Sequence, residues 1–325
     1  MRRRGFLALA GGAALWPACA VSQQPGRVYR LGVLGPSPDR MAIAAMDRVV
    51  LDELRQFGFH PGENLVVEHR PEDDPRGAEA VAADLARGNP DAFVVFATDP
   101  DVAVKAFARL APATPIVLAA FNYDPIQRGY AARLLRPGGN VTGIALRQSE
   151  LAVRQLEMLT QAVPSLRVGI LWDAMSADQF AVAAKVASSV QLQVHALELE
   201  NPPYDFAAAF KTLAADGIAS VLVLSRPHRA DQDIGGIALK HRLATMFAFK
   251  GYAQAGGLMA YGADEAAASR RLAVCVAKIL NGTRPADLPI EQVRDYEFYV
   301  NIRTAKALGL LLPEALLVRA DEIIE

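Results

Sequence analysis

The sequence is poor in cysteine and histidine, which argues against a disulfide framework and against a bound metal ion. Only Cys19 and Cys275 occur among 325 residues, too few for a disulfide framework, and they form no CxxC pair. The five histidines show no metal-ligand spacing, so we expect no metal site. Lysine and arginine form no basic stripe and the formal net charge is −1, which argues against a nucleic-acid partner.

Sequence motifs of common enzymes are also missing. The chain has no G-x-S-x-G nucleophile elbow, no phosphate-binding P-loop and no G-x-G-x-x-G after the first predicted strand. Histidines and carboxylates do not cluster along the sequence. We therefore expect no catalytic residue and no cofactor, and an enzyme is kept only as an alternative. Beyond the first twenty residues, no apolar run is long enough to cross a bilayer.

The first twenty residues, MRRRGFLALAGGAALWPACA, have the composition of an export signal. Three arginines precede an apolar run from Phe6 to Trp16, and small residues follow, which is the order of the regions of such a signal. The run is too short for a membrane-spanning helix. The segment RRGFL (3–7) also resembles a twin-arginine signal. We therefore predict a periplasmic protein whose signal spans residues 1–20.

Two forms of the mature protein are open. Cleavage after Ala20, in the segment Ala18-Cys19-Ala20, leaves a soluble protein that begins at Val21. Alternatively, Cys19 carries a lipid that anchors the protein to the membrane. The residue three positions before Cys19 is Trp16, where lipid-attachment sites usually have an aliphatic residue, and this favours the soluble form.

After the signal, short apolar segments alternate with segments of helical spacing. The segments 29–36, 64–70, 91–99 and 114–122 are predicted strands, with predicted helices between them. The same order starts again at residue 166, so that Gly32-Val33-Leu34 corresponds to Gly169-Ile170-Leu171. Strands that alternate with helices indicate a parallel sheet covered on both faces. The repetition of the whole order predicts an α/β protein with two Rossmann-like parallel-sheet lobes.

The stretch RPGGN (136–140) lies between the two halves of the sequence. Pro137 fixes its own φ angle, and Gly138 and Gly139 can adopt backbone angles that other residues avoid. We predict a hinge formed by Pro137, Gly138, Gly139 and Asn140, with a tight turn before a strand as the alternative. The first predicted lobe comprises residues 27–142 with about 258–284, and the second comprises 143–257 with about 285–325.

Candidate ligand-binding residues lie in the loops after the predicted strands, because open parallel sheets bind ligands beyond the carboxyl ends of their strands. These loops offer hydroxyl donors, carboxylates for an amino group, an arginine for a carboxylate, and aromatic rings. The candidates are Ser37, Thr98, Asp99, Asn122, Tyr123, Asp124, Asp173, Ser176, Arg226, Tyr252 and Tyr261. Tyr261 is expected to reach the cleft beside Gly256 and Gly257. For the aspartates helix capping is the alternative role, and for the aromatic residues it is ordinary packing.

A family resemblance is carried by GGLMAYG (256–262), KILNGTRPADLPIEQ (278–292), NIRTAKALGL (301–310) and RADEIIE (319–325). Together with RPGGNVTGI and DELRQFGFHPGENLVVEHR, these segments strongly resemble the ABC-transporter substrate-binding proteins that include tryptophan-binding lipoproteins. The resemblance covers nearly the whole mature chain. It implies the type I periplasmic-binding-protein architecture, in which two lobes close on a small molecule and present it to a membrane permease.

The resemblance also implies a ligand class and a partner. We expect an amino acid or an aromatic or carboxylate compound as ligand, a permease in the inner membrane as partner, and a monomer. The chain departs from the family in FNYDP (121–125) and SRPHR (225–229), two loops where the ligand is expected. A sensor that presents its ligand to a membrane receptor remains an alternative. In the tail, ADLPIEQ is expected to be a linker, YEFYVNIRTA a returning strand, and PEALLVRADEIIE a closing helix that begins at Pro313.

Overall fold

The computed structural model describes most of the chain beyond the predicted signal. It covers residues 26–35, 41–72, 74–96, 101–120, 123–146, 148–200, 204–224 and 233–325, with side chains described for all of these except 41–47 and 148–149. No helix in these ranges is long and apolar enough to span a bilayer. The predicted export signal, residues 1–20, lies outside the described residues and stays a prediction.

Strands and helices alternate along the described chain, as the sequence predicts. In chain order the strands are β1 (Tyr29–Gly35), β2 (Leu65–Pro71), β3 (Ala92–Val95), β4 (Ile116–Ala120), β5 (Val141–Ala145), β6 (Arg167–Trp172), β7 (Gln193–Glu198), β8 (Ser220–Val223), β9 (Ala244–Phe247), β10 (Met259–Ala263), β11 (Ile290–Gln292), β12 (Tyr296–Asn301) and β13 (Glu322–Ile324). The helices are α1 (Met41–Gln56), α2 (Ala78–Arg87), α3 (Asp101–Leu110), α4 (Gln148–Ala162), α5 (Ala177–Ser189), α6 (Phe206–Ala215), α7 (Ile234–Lys240), α8 (Lys250–Gln254), α9 (Glu265–Leu280), α10 (Ile302–Leu308) and α11 (Glu314–Leu317).

The strands form two sheets with the same internal order. The first sheet has the order β11-β5-β4-β3-β1-β2 and the second has the order β13-β12-β10-β9-β8-β6-β7. In the first, β1 pairs in parallel with β2 and β3, and in the second, β6 pairs in the same way with β7 and β8. The predicted repeat is therefore confirmed, since Gly32 and Gly169 lie on equivalent strands.

Helices cover both faces of each sheet. The central strands β3 and β4 are buried along their whole length, as expected for strands that are continuous apolar runs. On one face of the first sheet α2 and α3 pack, and Phe93 stacks on Phe107 with ring centroids 3.9 Å apart. On the other face α1 and α9 pack through Leu54, Leu272 and Val276. The second sheet is enclosed in the same way, by α4 and α5 on one face and by α6 and α7 on the other.

The chain passes between the two lobes three times. It first crosses after β5, because α4 packs on the second sheet. It crosses again after β10, because α9 packs against α1 on the first sheet. It crosses last after β11, which pairs with β5, whereas the following β12 pairs antiparallel with β10.

These crossings correct the predicted lobe boundaries. The predicted first lobe included β10, but β10 extends the second sheet beside β9. The segment ADLPIEQ, predicted as a linker of the second lobe, contains β11, an edge strand of the first sheet. Side-chain contacts fix this segment in the first lobe: Ile290 is buried there, and the Thr142 hydroxyl donates to the Leu288 carbonyl at 3.1 Å.

The predicted hinge at 137–140 is wrong, because this segment joins β4 and β5, which are neighbours in the first sheet. Pro137 is buried, and Gly138 has φ +82°, which glycine adopts without strain. The Asn140 side-chain amide donates to the Thr114 carbonyl at 3.1 Å. These contacts hold a tight turn within one lobe, which was the alternative interpretation of the same residues.

The C-terminal segment is a short helix and a strand rather than one closing helix. Pro313 precedes α11, which contains four residues, and the chain then enters β13 beside β12. The Phe298 N–H donates to the Asp321 carboxylate at 2.7 Å, and the Asp321 N–H donates to the Phe298 carbonyl at 2.9 Å. These two bonds fix the end of the chain to β12, which is the predicted returning strand.

Candidate ligand-binding site

The three crossings bring the carboxyl ends of both sheets to one junction. β5 and β11 of the first sheet and β10 of the second run parallel to neighbouring strands, and the chain leaves each of them at its carboxyl end. The carboxyl ends of the other parallel strands therefore lie on the side of the junction. In open α/β sheets this is the side on which ligands bind.

The crossing segments are bonded to one another at the junction. The Asp264 N–H donates to the Asp295 carbonyl at 2.9 Å, and the Val293 N–H donates to the Ala145 carbonyl at 3.0 Å. Arg271 of α9 binds the Asp295 carboxylate at 2.7 Å. The joint between the lobes is therefore formed by these segments and not by the turn at 137–140.

In the first lobe, Tyr123 and Asp124 come three and four residues after Ala120, the last residue of β4. Tyr123 is buried, and its ring meets that of Tyr130 edge-on at 6.0 Å between centroids. Asp124 is exposed, and one of its carboxylate oxygens accepts the Ile126 N–H at 2.8 Å. This bond starts the turn that carries the chain to Tyr130, so the two predicted residues lie side by side at the carboxyl edge of the sheet.

A charged group at the start of α3 was not predicted as a unit. Asp101 accepts a hydrogen bond from the Tyr130 hydroxyl and lies 3.3 Å from the Arg128 guanidinium. Burial alone would raise the pKa of Asp101, but the bond from Tyr130 and the charge of Arg128 outweigh burial and lower it. Burial and the Asp101 carboxylate raise the pKa of Tyr130. The group fastens the turn after β4 to the start of α3, and no local sequence pattern links residues this far apart.

In the second lobe, Asp173 and Ser176 form a buried network after β6. One Asp173 oxygen accepts the Ser176 N–H at 2.9 Å and the Ser176 hydroxyl at 2.8 Å, and the other accepts the Tyr204 hydroxyl at 3.0 Å. Burial and the Asp173 carboxylate raise the pKa of Tyr204. The side chains of Asp173 and Ser176 are thus engaged within the lobe, which corresponds to the capping alternative for Asp173.

Trp172 immediately precedes this network. Its ring stacks on Phe180 with centroids 4.6 Å apart and planes 5° apart. Its indole Nε1 is buried without a hydrogen-bond partner in the described part of the chain. The stacked pair packs against the core between the second sheet and the helices α4 and α5.

Tyr252 and Tyr261 pack on opposite faces of the second sheet. Tyr252 lies against Phe247 with ring centroids 5.2 Å apart, in the core under α6 and α7. Tyr261 lies 6.0 Å from Tyr296 and 6.3 Å from Phe298, in the core on the α4 side. Tyr296 belongs to the third crossing, so Tyr261 adjoins the junction and Tyr252 is part of a separate aromatic group.

Gly256 and Gly257 do not accompany Tyr261 at the junction. They precede β10, at its amino end, and pack closely against α7. A Cβ on Gly235 would lie 2.3 Å from the Gly257 nitrogen, so these glycines permit a close backbone approach. These glycines pack the backbone of the second lobe, and Tyr261 does not lie beside them; its place in the cleft stays a prediction.

Five of the predicted ligand-binding residues lie outside the described residues and stay predictions. They are Ser37, Thr98, Asp99, Asn122 and Arg226. In the sequence they come after the residues that form β1, β3, β4 and β8. Within the described ranges, no group of three or more His, Cys, Asp or Glu side chains is placed to hold a metal ion.

The fold is similar to solved structures of bacterial proteins. A conserved domain protein from Vibrio cholerae matches with a TM-score of 0.80 at 22% identity, over 91% of this chain and 100% of that one. An ABC domain from Streptococcus pneumoniae in complex with L-Trp also gives 0.80, at 20% identity and with the same coverage. A substrate-binding protein with adhesive properties from Clostridium difficile, in a ligand-free, open structure, gives 0.67 at 20% identity, over 92% and 99%. The predicted type I periplasmic-binding-protein fold is confirmed.

Sequence comparison identifies the family. A comparison with curated proteins found no match. The model of the family described as ABC transporter substrate binding protein matches residues 41–324, which is well over half of the chain. The family resemblance of the sequence motifs is thereby confirmed. The chain belongs to the ABC transporter substrate-binding protein family.

Proposed function

We propose that this protein is exported to the periplasm, captures one small molecule between its two lobes and delivers it to the permease of an ABC importer. The observation that carries the proposal is the junction at which all three crossings meet the carboxyl ends of both sheets. A ligand bound there contacts loops of both lobes and stabilises their closed arrangement. This role needs no chemical step, and the ligand is released unchanged.

The proposed ligand is an amino acid or an aromatic carboxylate. Tyr261 of the second lobe is partly exposed and supplies aromatic surface near the junction, whereas Tyr123 of the first lobe is buried after β4. Aromatic walls with a few well-placed polar groups are typical of small-molecule sites. The similar ABC domain from Streptococcus pneumoniae was solved with L-Trp, which is compatible with this class.

Asp124 is the proposed partner of the ligand's amino group. Only one of its oxygens is engaged, by the Ile126 N–H, and the other has no hydrogen-bond partner among the described residues. Its side chain is exposed, so a ligand can reach it without displacing a core residue. Asp173, the equivalent candidate in the second lobe, is held by Ser176 and Tyr204 instead.

A ligand screen tests the proposal directly. The protein from Val21 onward is heated with amino acids, aromatic carboxylates, nucleosides and sugars, and its unfolding is recorded. A ligand present at 100 times its dissociation constant should stabilise a one-site protein by about 2.7 kcal/mol. Mass spectrometry of the released ligand then shows whether it is unchanged. A protein that ignores all amino acids and aromatic carboxylates contradicts the ligand class, and a converted ligand contradicts the binding role.

The Asp124→Asn variant tests the assigned amino-group partner. It keeps an oxygen for the Ile126 N–H but loses the negative charge. A hydrogen bond to a charged group contributes about 1.5–3 kcal/mol, so affinity for an amino acid should fall roughly ten- to hundredfold. Asp216→Asn is the matched control, because Asp216 is an exposed aspartate between α6 and the amino end of β8, on the side of the sheet opposite the junction. If the Asp124→Asn variant binds the amino acid as tightly as the unaltered protein, Asp124 does not bind the amino group of the ligand.

A further inference from the structure

We propose that the second lobe carries a membrane-docking surface, which binds the phosphate groups of an anionic phospholipid bilayer and inserts two apolar side chains between them. The surface is formed by α10, α11 and the loop that joins these helices, and we call it the α10–α11 surface. This role goes beyond the capture of a small molecule and does not depend on the ligand cleft.

The α10–α11 surface begins at the end of the second lobe that is remote from the junction. β12 runs antiparallel to β10, so its last residue lies beside the amino end of β10. That residue is Asn301, whose N–H donates to the Leu258 carbonyl at 2.8 Å, just before β10. α10 starts at the next residue, Ile302. The surface therefore starts on the opposite side of the sheet from the proposed ligand cleft.

Three basic side chains of the surface form no ion pair with any other described residue. Arg303 and Lys306 are exposed, and their spacing of three residues places them on one face of α10. Arg319 is exposed just after α11. Glu314 is the single acidic residue between positions 302 and 319. The segment therefore has an excess of positive charge that its own carboxylates do not neutralise.

A fourth cation comes from a different part of the sequence. Arg242 follows α7 and is exposed, and its guanidinium donates to the Leu308 carbonyl, at the end of α10, at 3.5 Å. A positive charge is favourable there, because the last carbonyls of a helix carry partial negative charge. This contact holds Arg242 beside α10, so that four basic groups and the carboxylate of Glu314 belong to the surface.

Two aliphatic side chains project from the same segment into solvent. Leu311 is 96% exposed and Val318 is 78% exposed. Leu310 and Leu312, on either side of Leu311, are partly buried and pack against the core of the second lobe, which fixes Leu311 in an outward position. Leu317 packs against the same core beside Val318. The fold thus presents apolar side chains to water between the basic groups.

An anionic bilayer matches both features of the surface. Phosphate oxygens attract lysine and arginine, while the boundary between headgroups and acyl chains takes up leucine and valine. A small anion would bind the basic groups but leave Leu311 and Val318 in water. A stable protein interface buries about 800 Å² on each partner, whereas the two aliphatic side chains here project singly. The observations therefore favour a lipid surface over a protein.

Vesicle flotation tests the proposal. The protein from Val21 onward is mixed with vesicles of phosphatidylcholine alone, or with vesicles that also contain about one-third phosphatidylglycerol. This form lacks the predicted signal, whose arginines and apolar run would bind vesicles by themselves. We expect binding to the anionic vesicles only, and weaker binding as the salt is raised from about 0.05 M to about 0.5 M. Equal binding to both kinds of vesicle, or no binding to the anionic vesicles at low salt, overturns the proposal.

The double variant Arg303→Gln/Lys306→Gln identifies the surface. Each basic residue near an anionic bilayer contributes about fivefold in affinity, so this variant should bind the vesicles roughly 25-fold more weakly. Lys185→Gln/Lys211→Gln is the matched control, because it removes two exposed charges from α5 and α6 of the same lobe and should leave vesicle binding nearly unchanged. An equal loss in the two double variants would show that only the net charge matters, and would overturn the assignment.

The Leu311→Trp variant reports whether the loop enters the bilayer. Its tryptophan emission should move to shorter wavelength when anionic vesicles are added. Leu135→Trp, at an 82% exposed position of the first lobe, is the control and should keep its emission unchanged. No shift at position 311, or an equal shift at position 135, contradicts docking through this surface.

Two further comparisons separate this role from others. An acidic protein that binds the unaltered chain but not Arg303→Gln/Lys306→Gln, in the absence of vesicle binding, would assign the surface to a protein partner and overturn the proposal. Binding at the cleft is measured separately with the amino-acid ligand and without vesicles. Failure of vesicle binding therefore does not imply failure of ligand binding, and the reverse also holds.

Discussion

The buried network around Asp173 gives the sharpest stability prediction. Asp173 is 3% exposed, and it accepts hydrogen bonds from Ser176 and from the Tyr204 hydroxyl. The Asp173→Ala variant removes the acceptor for all of them. Tyr204 and Ser176 are buried, so their donors cannot turn to water without local opening of the lobe.

The expected change in the free energy of unfolding is the sum of two effects, the loss of a helix cap and the loss of a hydrogen bond. Loss of an aspartate cap costs about 1 kcal/mol of stability. Loss of the hydrogen bond between the Tyr204 hydroxyl and the Asp173 carboxylate costs about 1.5–3 kcal/mol more, since the acceptor is charged. We therefore expect Asp173→Ala to lower the free energy of unfolding by about 3 kcal/mol. The control Asp205→Ala loses an exposed cap that accepts one N–H, so we expect about 1 kcal/mol.

The assay is equilibrium unfolding in urea. Only two tryptophans occur in the sequence, so a protein that begins at Val21 retains Trp172 alone as a fluorescent reporter in the second lobe. Far-UV circular dichroism provides an independent signal. Tyr204→Phe, alone and combined with Asp173→Ala, completes a double-mutant cycle, and residues in one network should show a coupling of about 0.5–3 kcal/mol.

Two results would refute the reasoning about this network. One is an Asp173→Ala protein whose stability lies within about 0.5 kcal/mol of the Asp205→Ala control, which is the usual range for surface changes. The other is strict additivity of Asp173→Ala and Tyr204→Phe. In either case the Asp173 carboxylate would be free to bind a ligand, and its hydrogen bonds to Ser176 and Tyr204 would contribute little to the stability of the lobe.

Three further predictions concern packing and pH. Gly262→Ala should strongly lower the free energy of unfolding in urea, because the new Cβ would lie 1.7 Å from the Ala248 carbonyl oxygen, just after β9. Gly251→Ala is the control and should be nearly neutral, because its Cβ would meet no atom within 4 Å. Phe107→Ala should cost about 3–5 kcal/mol through loss of its stacking on Phe93, and a loss below about 1 kcal/mol would contradict the packing described. The pKa of His69 is lowered in the fold, so the unfolded chain binds more protons than the folded protein near and below pH 6.5. The free energy of unfolding should therefore fall as the pH decreases through that range. The His69→Leu variant should show a shallower fall between pH 7 and 5, and an unchanged slope would exclude His69 as the source of this pH dependence.

Much of the fold was predictable because its pattern is local. Apolar runs such as AFVV and IVLAA are bounded by helical segments within a few residues, and the structure makes them the buried strands β3 and β4. The repeated order of these segments predicted two similar lobes, and the spatial order of the strands confirms it. The tail was harder, because strands of three residues such as β11 and β13 are too short to show a period.

The candidate site was predictable in outline but not in detail. Loops after parallel strands are identifiable from the sequence, and Tyr123 and Asp124 lie at the expected edge of the sheet. The role of a carboxylate depends on which donors surround it. Asp173 is engaged by Tyr204, 31 residues away, and Asp101 by Tyr130, 29 residues away. No spacing rule predicts such contacts, so the sequence left Asp173 open to both a capping and a ligand-binding role.

The sequence by itself determined the class of strands and helices, their duplication and the family, because the periods of burial are encoded within single elements. Only the tertiary structure decided which sheet each late strand joins, where the chain crosses between lobes and which side chains are already committed. The bond from Thr142 to the Leu288 carbonyl joins residues 146 positions apart and fixes the segment that leads into β11 beside the first sheet. The glycine-rich turn at 137–140 resembles a hinge in sequence, but two neighbouring strands of one sheet hold its ends, and this pairing makes it a turn.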